Sequence, residues 1–202
     1  QARDDAVAGW TTAARVDFFL GIARAVSAAH GLGVLHKDIK PANVLVAETA
    51  EGPRPCLTDF GSSRVTDPSR LAELGVTALG LTMTQAADTA GTTPLYLAPE
   101  LLAGRDPTVA CDIYALGLVL YQLLVGDFRR PMSTGWQRDI DDELLVEDLT
   151  AATEGRPEAR IASVADLILR LSTLDARRQE REEAKRATAA AAAAAELLRR
   201  TR

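Results

Sequence analysis

The chain of 202 residues carries 23 Lys and Arg against 28 Asp and Glu, which gives a formal net charge of −5. This length is typical of one domain, or of one lobe of a larger domain. The acidic balance argues against a protein that binds nucleic acid through bulk charge. Charged residues of both signs make up a quarter of the chain, which excludes wholesale disorder.

Neither a membrane span nor a signal peptide is predicted. The longest strongly apolar run, residues 115–125, is interrupted by Gln122 and is far shorter than the roughly 20 residues that a span needs. The chain does not begin with Met, so we expect it to be a piece of a longer protein. Cys56 and Cys111 belong to no CxxC or Cys/His cluster, and we expect both to be reduced, buried thiols of a cytosolic protein.

The apolar pattern predicts a mainly helical chain with a few strands. Residues 11–30 predict an amphipathic helix that Thr11 or Thr12 can cap. Residues 43–47 and 56–58 predict two short strands, and the Gly and Pro residues between them predict a turn.

The middle of the chain contains a long stretch of little periodicity, residues 59–100, in which a short helix is predicted over residues 68–75. Residues 112–125 are apolar around the whole circumference, which indicates a central buried helix. Residues 158–174 predict a further amphipathic helix.

The composition changes after residue 175. Residues 176–202 hold eight basic and four acidic side chains and are rich in Ala, which predicts a helix supported by pairs such as Glu182–Arg186 and Glu196–Arg200. No sustained heptad is present, so a coiled coil is not expected. The tail fits a juxtamembrane helix or a solvated linker, and it could lead to a membrane segment or another domain beyond Arg202.

Three motifs follow one another in the middle of the chain. Residues 36–43 read HKDIKPAN, residues 59–61 read DFG and residues 98–100 read APE. Each triplet alone is weak evidence, because such triplets occur by chance. Their order, followed by the CDIYALG sequence at residues 111–117, makes the signal strong.

The residues of these motifs suit phosphoryl transfer. That reaction needs a carboxylate to orient the attacking hydroxyl, a cation on the transferred phosphoryl group and oxygen ligands for Mg²⁺. Asp38 and Lys40 lie two residues apart in an extended loop, so both can face one site. Asn43 and Asp59 lie at turns beside the predicted strands, where two oxygen ligands can converge on a hard cation.

With this motif set the chain resembles a protein kinase, and it is most similar to bacterial serine/threonine protein kinases of the eukaryotic type. The resemblance covers residues 11–175. It implies a mainly α, α+β fold, the helical C-lobe of the protein kinase fold with a short β-hairpin, followed by a long C-terminal helix. Residues 1–175 would form that lobe, and residues 176–202 the helical tail or linker.

The resemblance also implies roles for individual residues, with ATP and Mg²⁺ as cofactors. Asp38 would be the catalytic base, and Lys40 would contact the γ-phosphate of ATP. Asn43 and Asp59 would be the Mg²⁺ ligands. Thr93 would be the threonine that ties the peptide-binding loop to Asp38 and Lys40, with its neighbour Thr92 as the alternative.

Further matched positions imply structural roles. His36 would pack under Phe60 rather than transfer protons. Asp112 would accept backbone N–H groups of the loop that contains Asp38, and Glu100 and Arg160 would form a buried ion pair.

Some positions depart from the family pattern or fall outside it. His30 is expected to be a capping or surface histidine. Lys37 stands where the family usually has Arg, which puts dependence on loop phosphorylation in doubt. The sequence before residue 11 contains no Gly-rich phosphate loop and no Lys, so we expect the chain to be inactive without an N-lobe.

Two classes of function remain in view. The first is an ATP-dependent serine/threonine protein kinase that transfers the γ-phosphate of Mg·ATP to Ser or Thr hydroxyls of a protein substrate. It would be cytoplasmic, or the cytoplasmic part of a membrane-anchored kinase. The second is a pseudokinase-like binding or scaffold module; retention of Asp38, Asn43 and Asp59 favours the enzyme. A small-molecule phosphotransferase shares the Asp, Asn and Asp arrangement, but the APE motif favours a protein substrate.

Overall fold

Helix α1 spans Thr12–Gly31 in the computed structural model, which describes residues 7–50, 52–60, 63–65 and 94–200. The predicted first helix is therefore confirmed. Thr11 caps it, since the Thr11 hydroxyl accepts a hydrogen bond from the Ala14 N–H at 3.2 Å. The short helix predicted over residues 68–75 lies outside the described residues, as does Thr93.

In the part of the chain that the structure describes, four strands form two small antiparallel sheets. Strand β1 (Val34–Leu35) pairs with β4 (Arg64–Val65), and β2 (Val44–Thr49) pairs with β3 (Gly52–Leu57) in a hairpin. The hairpin is longer than the sequence predicted. Its Pro53 and Pro55 read as turn residues, but proline is tolerated in a strand that forms the edge of a sheet.

The hairpin also corrects the prediction for one cysteine. Cys56 is exposed, not buried, and its partner across the two strands, Leu45, is 55% exposed. Apolar neighbours in the sequence suggested burial, but this face of the two-stranded sheet is open.

The core is built around helix α3 (Val109–Val125), preceded by the single-turn helix α2 (Pro99–Leu102). Most α3 side chains are buried, as the uniformly apolar sequence predicted, and α1 packs against it. Helix α3 ends at Gly126, which has a φ of +80°.

The chain divides into two compact units, Gln1–Leu171 and Ser172–Arg202. The first unit also contains the next two α-helices. Helix α4 (Glu143–Ala152) packs against α3, and Asp142 caps it by accepting two backbone N–H bonds. Helix α5 spans Val164–Ser172 and is shorter than the predicted helix over residues 158–174. The residues before it form a 3₁₀ turn, Pro157–Ala159, and then an extended segment.

Helix α6 (Leu174–Arg200) makes up most of the second unit. Arg200 pairs with Glu196 at 3.0 Å as predicted, whereas Glu182 pairs with Lys185 at 3.4 Å rather than with Arg186. Such exposed pairs contribute little stability. Within the described part of the chain, every helix is too short or too polar to cross a lipid bilayer.

Candidate active site

Asp38 lies at the centre of a cluster formed by the loop between β1 and β2. The Lys40 Nζ lies 2.7 Å from the Asp38 Oδ2 atom. The Asn43 side-chain amide donates to the same Oδ2 atom at 3.0 Å and to the Asp38 backbone carbonyl at 2.8 Å. Asn43 sits in the 3₁₀ turn Pro41–Asn43, whose backbone places its side chain back over Asp38. The structure thus brings together three of the predicted site residues.

The second carboxylate oxygen of Asp38, Oδ1, is buried and has no hydrogen-bond partner among the described residues. A buried acceptor without a partner costs free energy, because it has lost its hydrogen bonds to water. Asp38 as a whole is 8% exposed. One oxygen of this carboxylate is therefore fixed by Lys40 and Asn43, and the other is available to a group that enters the site.

Asp59 is connected to this cluster by the preceding residue, Thr58. Thr58 donates two hydrogen bonds to the Asn43 carbonyl, from its N–H at 2.9 Å and from its hydroxyl at 3.1 Å. Asp59 then adopts a φ of +63°, which is uncommon for a residue other than glycine and is often found at functional sites. Asp59 is exposed. The backbone therefore places Asp59 directly after a residue that is tied to Asn43.

The donor set fits a hard cation only in part. The hydrogen bonds of the Asn43 side chain use its nitrogen, not its amide oxygen. That oxygen and the Asp59 carboxylate are both of the ligand type that Mg²⁺ prefers. Among the described residues, no three His, Cys, Asp or Glu side chains converge on one point that could hold a metal ion. An ion held by Asn43 and Asp59 would take its other ligands from phosphate oxygens and water.

Helix α3 holds the loop in place through Asp112, which is 1% exposed. Its carboxylate accepts the His36 N–H at 2.9 Å and the Lys37 N–H at 2.8 Å. Lys37 has a φ of +70°, a conformation that these contacts help to maintain. The predicted role of Asp112 is confirmed.

His30 shares the same carboxylate, which contradicts the prediction of a capping or surface histidine. Its Nε2 atom lies 2.7 Å from the Asp112 Oδ2 atom, and its side chain is only 11% exposed. The last turn of α1 runs beside α3, so the side chain points into the interior. The sequence shows only a histidine near a helix end and gives no sign of a partner 82 residues away.

His36 is fully buried and packs against Phe60, with 4.6 Å between the ring centroids. Its Nδ1 atom accepts the Asp38 N–H at 3.4 Å, and its Nε2 atom faces the Thr58 carbonyl at 3.2 Å. Both ring nitrogens are therefore engaged with the backbone. The predicted packing role is confirmed.

Glu100 and Arg160 form the predicted buried ion pair, with two hydrogen bonds of 2.7 and 3.1 Å. The guanidinium also donates to the carbonyls of Ala110 at 2.6 Å and Glu154 at 2.8 Å, and it lies 5.1 Å from the centre of the Tyr114 ring. Arg160 thus joins α2, the start of α3 and the segment after α4.

One polar connection was not predicted from the sequence. The Tyr96 hydroxyl donates to the Gln122 Oε1 atom at 2.7 Å, and the Gln122 amide nitrogen donates to the Arg130 carbonyl at 3.1 Å. Gln122 is 2% exposed. A polar residue inside an apolar helix was the available signal, because buried polar groups are nearly always hydrogen-bonded.

Comparison with known proteins agrees with this geometry. Residues 7–195 match the family model of the protein kinase domain. The fold is similar to the crystal structure of the Mycobacterium tuberculosis PknI kinase domain, with a TM-score of 0.59 and 24% identity over 84% of this chain and 60% of that one.

The curated relatives are bacterial serine/threonine-protein kinases. PkaA of Streptomyces coelicolor is 43% identical over 114 residues, which is 56% of this chain and 18% of the relative. PknJ of Mycobacterium tuberculosis is 38% identical over 128 residues, 62% of this chain and 20% of the relative. PknD of Protochlamydia amoebophila is 31% identical over 170 residues, 81% of this chain and 17% of the relative. The chain thus spans about a fifth of the length of these relatives, and it belongs to the protein kinase domain family.

Proposed function

We propose that the protein is an ATP-dependent serine/threonine protein kinase, and that this chain supplies its catalytic loop. The observation that carries the proposal is the Asp38 carboxylate, held through one oxygen by Lys40 and Asn43 while its other oxygen is buried without a partner among the described residues. The relatives are serine/threonine-protein kinases by name, which supports the same activity.

Asp38 orients the attacking group. Its Oδ1 atom can accept a hydrogen bond from a Ser or Thr hydroxyl of a protein substrate. It takes up the proton as the bond from that oxygen to the γ-phosphorus forms and the bond from the γ-phosphorus to the ADP oxygen breaks. Lys40 and Asn43 keep the carboxylate from rotating away. The arrangement therefore positions the substrate hydroxyl before the reaction.

The residues proposed to contact ATP and its Mg²⁺ ion are Lys40, Asn43 and Asp59. The Lys40 ammonium, which lies beside Asp38, supplies a positive charge for the γ-phosphate of ATP. Asn43 and Asp59 would hold Mg²⁺, which neutralises charge on the phosphates when it is bound. Thr93 is proposed to connect the substrate-binding segment to Asp38 and Lys40.

We propose that these 202 residues alone bind Mg·ATP weakly and do not transfer phosphate. Leu45 of β2 is 55% exposed and offers an apolar surface to one side of a nucleotide base. The sequence contains no Gly-rich phosphate-binding loop. A base resting on this surface would stay open to water on its other side.

The test uses the full product of the natural gene, Mg·ATP with a radioactive γ-phosphate and a generic protein substrate. Asp38→Asn should lower kcat by about 10²- to 10⁴-fold, and Asp59→Ala should abolish transfer with little change in Tm, because Asp59 is exposed. Asp141→Asn, at an exposed position outside the cluster, is the matched control.

Unchanged transfer in the Asp38→Asn protein would refute the assignment. If the unaltered protein transfers no phosphate but still folds, the alternative of a pseudokinase-like binding or scaffold module gains support instead.

A further inference from the structure

A groove runs between helix α1 and strand β3, apart from the Asp38 cluster, and encloses about 580 Å³. Helix α1 contributes one face with residues at i, i+4 and i+7, namely Asp17, Gly21 and Arg24. The opposite wall is residues 53–55 of β3.

The floor of the groove is aromatic. Trp10 and Phe18 both line it and contact each other edge to face, with ring centroids 5.1 Å apart. Phe18 is buried and Trp10 is half-buried, so part of this aromatic surface remains open to solvent. An apolar side chain of a partner could therefore rest on it.

The two walls of the groove are in close contact at one end. There the hairpin approaches α1 so closely that a Cβ added at Gly21 would lie 2.5 Å from the Pro55 Cγ atom. The prolines at positions 53 and 55 have no N–H groups, so β3 is a poor template for the addition of another strand. A partner is therefore expected to bind through its side chains.

The charges of the groove indicate what kind of partner fits. Arg24 and Arg54 are both exposed on its walls, and neither side chain makes an ion pair or hydrogen bond with another described residue. These two positive side chains line one groove although the chain as a whole has a net charge of −5. Asp17, the single acidic side chain among the described residues of the lining, pairs with neither arginine.

We propose that this groove docks an acidic linear segment of a partner protein. Two carboxylates of the segment bind the guanidinium groups of Arg24 and Arg54, which suit bidentate pairing. An apolar side chain between the carboxylates packs on Trp10 and Phe18. This docking requires no phosphate transfer, so it stands or falls independently of the kinase assignment.

The test measures binding of fluorescein-labelled peptides to the 202-residue chain by fluorescence anisotropy. The peptides carry two glutamates at varied spacing around a phenylalanine, and in the control peptides glutamine replaces each glutamate. Binding of the acidic peptides should weaken about tenfold for each of Arg24→Glu and Arg54→Glu. Arg129→Glu, whose side chain is 78% exposed outside the groove, should bind as the unaltered chain does.

The charge-reversed double variant should instead bind peptides in which lysine replaces glutamate, provided that its Tm shows that it is folded. No binding by any acidic peptide, equal binding of the glutamine peptides, or insensitivity to both charge reversals would overturn the proposal. Light scattering distinguishes one other occupant. A dimer of the unaltered chain that is lost in the double variant would assign the groove to a second copy and also overturn it.

Discussion

The carboxylate of Glu100 and the guanidinium of Arg160 face each other in the interior, 60 residues apart in the chain, with two hydrogen bonds between them. Burial alone would raise the pKa of Glu100, but the hydrogen bonds and charge of Arg160, together with hydrogen bonds from the Glu100 backbone N–H and from Cys111, outweigh it. The pKa therefore lies below its ordinary value of 4.5. The ion pair therefore favours the ionised carboxylate in the folded state.

This shift gives a signed prediction for stability against pH. Because the folded-state pKa of Glu100 is lowered, the pair contributes stability above about pH 4.5, and the contribution is lost as the pH falls through the folded-state value. Arg160→Met should cost about 3–5 kcal/mol near neutral pH, because it leaves a buried charge without a partner.

The same variant should lose less stability in acid, where protonation of Glu100 removes the buried charge. Urea unfolding of both proteins between neutral and acidic pH measures this, with Arg156→Met, whose side chain is 76% exposed, as the control. Parallel curves for the unaltered and Arg160→Met proteins would show that the pair does not set the pKa of Glu100.

His30→Ala should lower the free energy of unfolding by about 1–3 kcal/mol, since it leaves the buried Asp112 carboxylate short of a hydrogen bond. His30→Gln can restore a donor and should lose less. Chemical denaturation measures both. The idea fails if the two variants are equally stable or if neither differs from the unaltered protein.

The two cysteines should differ sharply in reactivity. Burial raises the pKa of Cys111 to about 11, so its thiolate is scarce at neutral pH, whereas Cys56 is exposed. Iodoacetamide should label Cys56 alone in the folded chain and both residues in denaturant, as read by mass spectrometry. In Cys56→Ser the folded chain should remain unlabelled; labelling of Cys111 there would contradict the burial.

Gly117 of α3 packs against the end of α4. A Cβ at this position would lie 2.6 Å from the Thr153 Cγ2 atom. Gly117→Ala should therefore destabilise the chain by up to about 2 kcal/mol, since overpacking exceeds the gain in helix propensity. Thr153→Ser removes that methyl group but keeps the hydroxyl that donates to the Leu149 carbonyl.

The double variant Gly117→Ala/Thr153→Ser should recover part of the lost stability, because the added Cβ would still lie 3.1 Å from the Ala152 Cβ atom. Thr153→Ser alone should change the stability little. Calorimetry of the three variants gives the coupling between the two positions. Additive changes would mean that the Cγ2 contact does not limit the packing there.

Local patterns predicted much of the fold and of the site. Helix α3 followed from its apolar circumference, and the cluster of Asp38, Lys40 and Asn43 followed from residues close together in one motif. Neighbours in the sequence determine both features, because a helix surface and a tight loop bring together residues only a few positions apart.

Distant contacts were predicted only where the family resemblance implied them, as for Asp112 and for the Glu100–Arg160 pair; local patterns gave no sign of the others. The partner of His30 lies on another helix, and the exposure of Cys56 depends on what covers the open face of a two-stranded sheet. The predicted strand over residues 56–58 was shorter than β3, because Pro53 and Pro55 are typical of turns and are also tolerated at a sheet edge. The role of Thr93 and the boundary at residue 175 stay predictions.

The hydrogen bonds of Asp112 also have a consequence for the dynamics of the loop. The amide protons of His36 and Lys37 belong to a segment without regular secondary structure, where exchange with solvent deuterium is usually fast. Both are bonded to a buried carboxylate of α3, so they can exchange only when the loop separates from that helix. Their exchange rates should approach those of the α3 backbone, and the segment that presents Asp38 would then move as part of the core rather than as a surface loop.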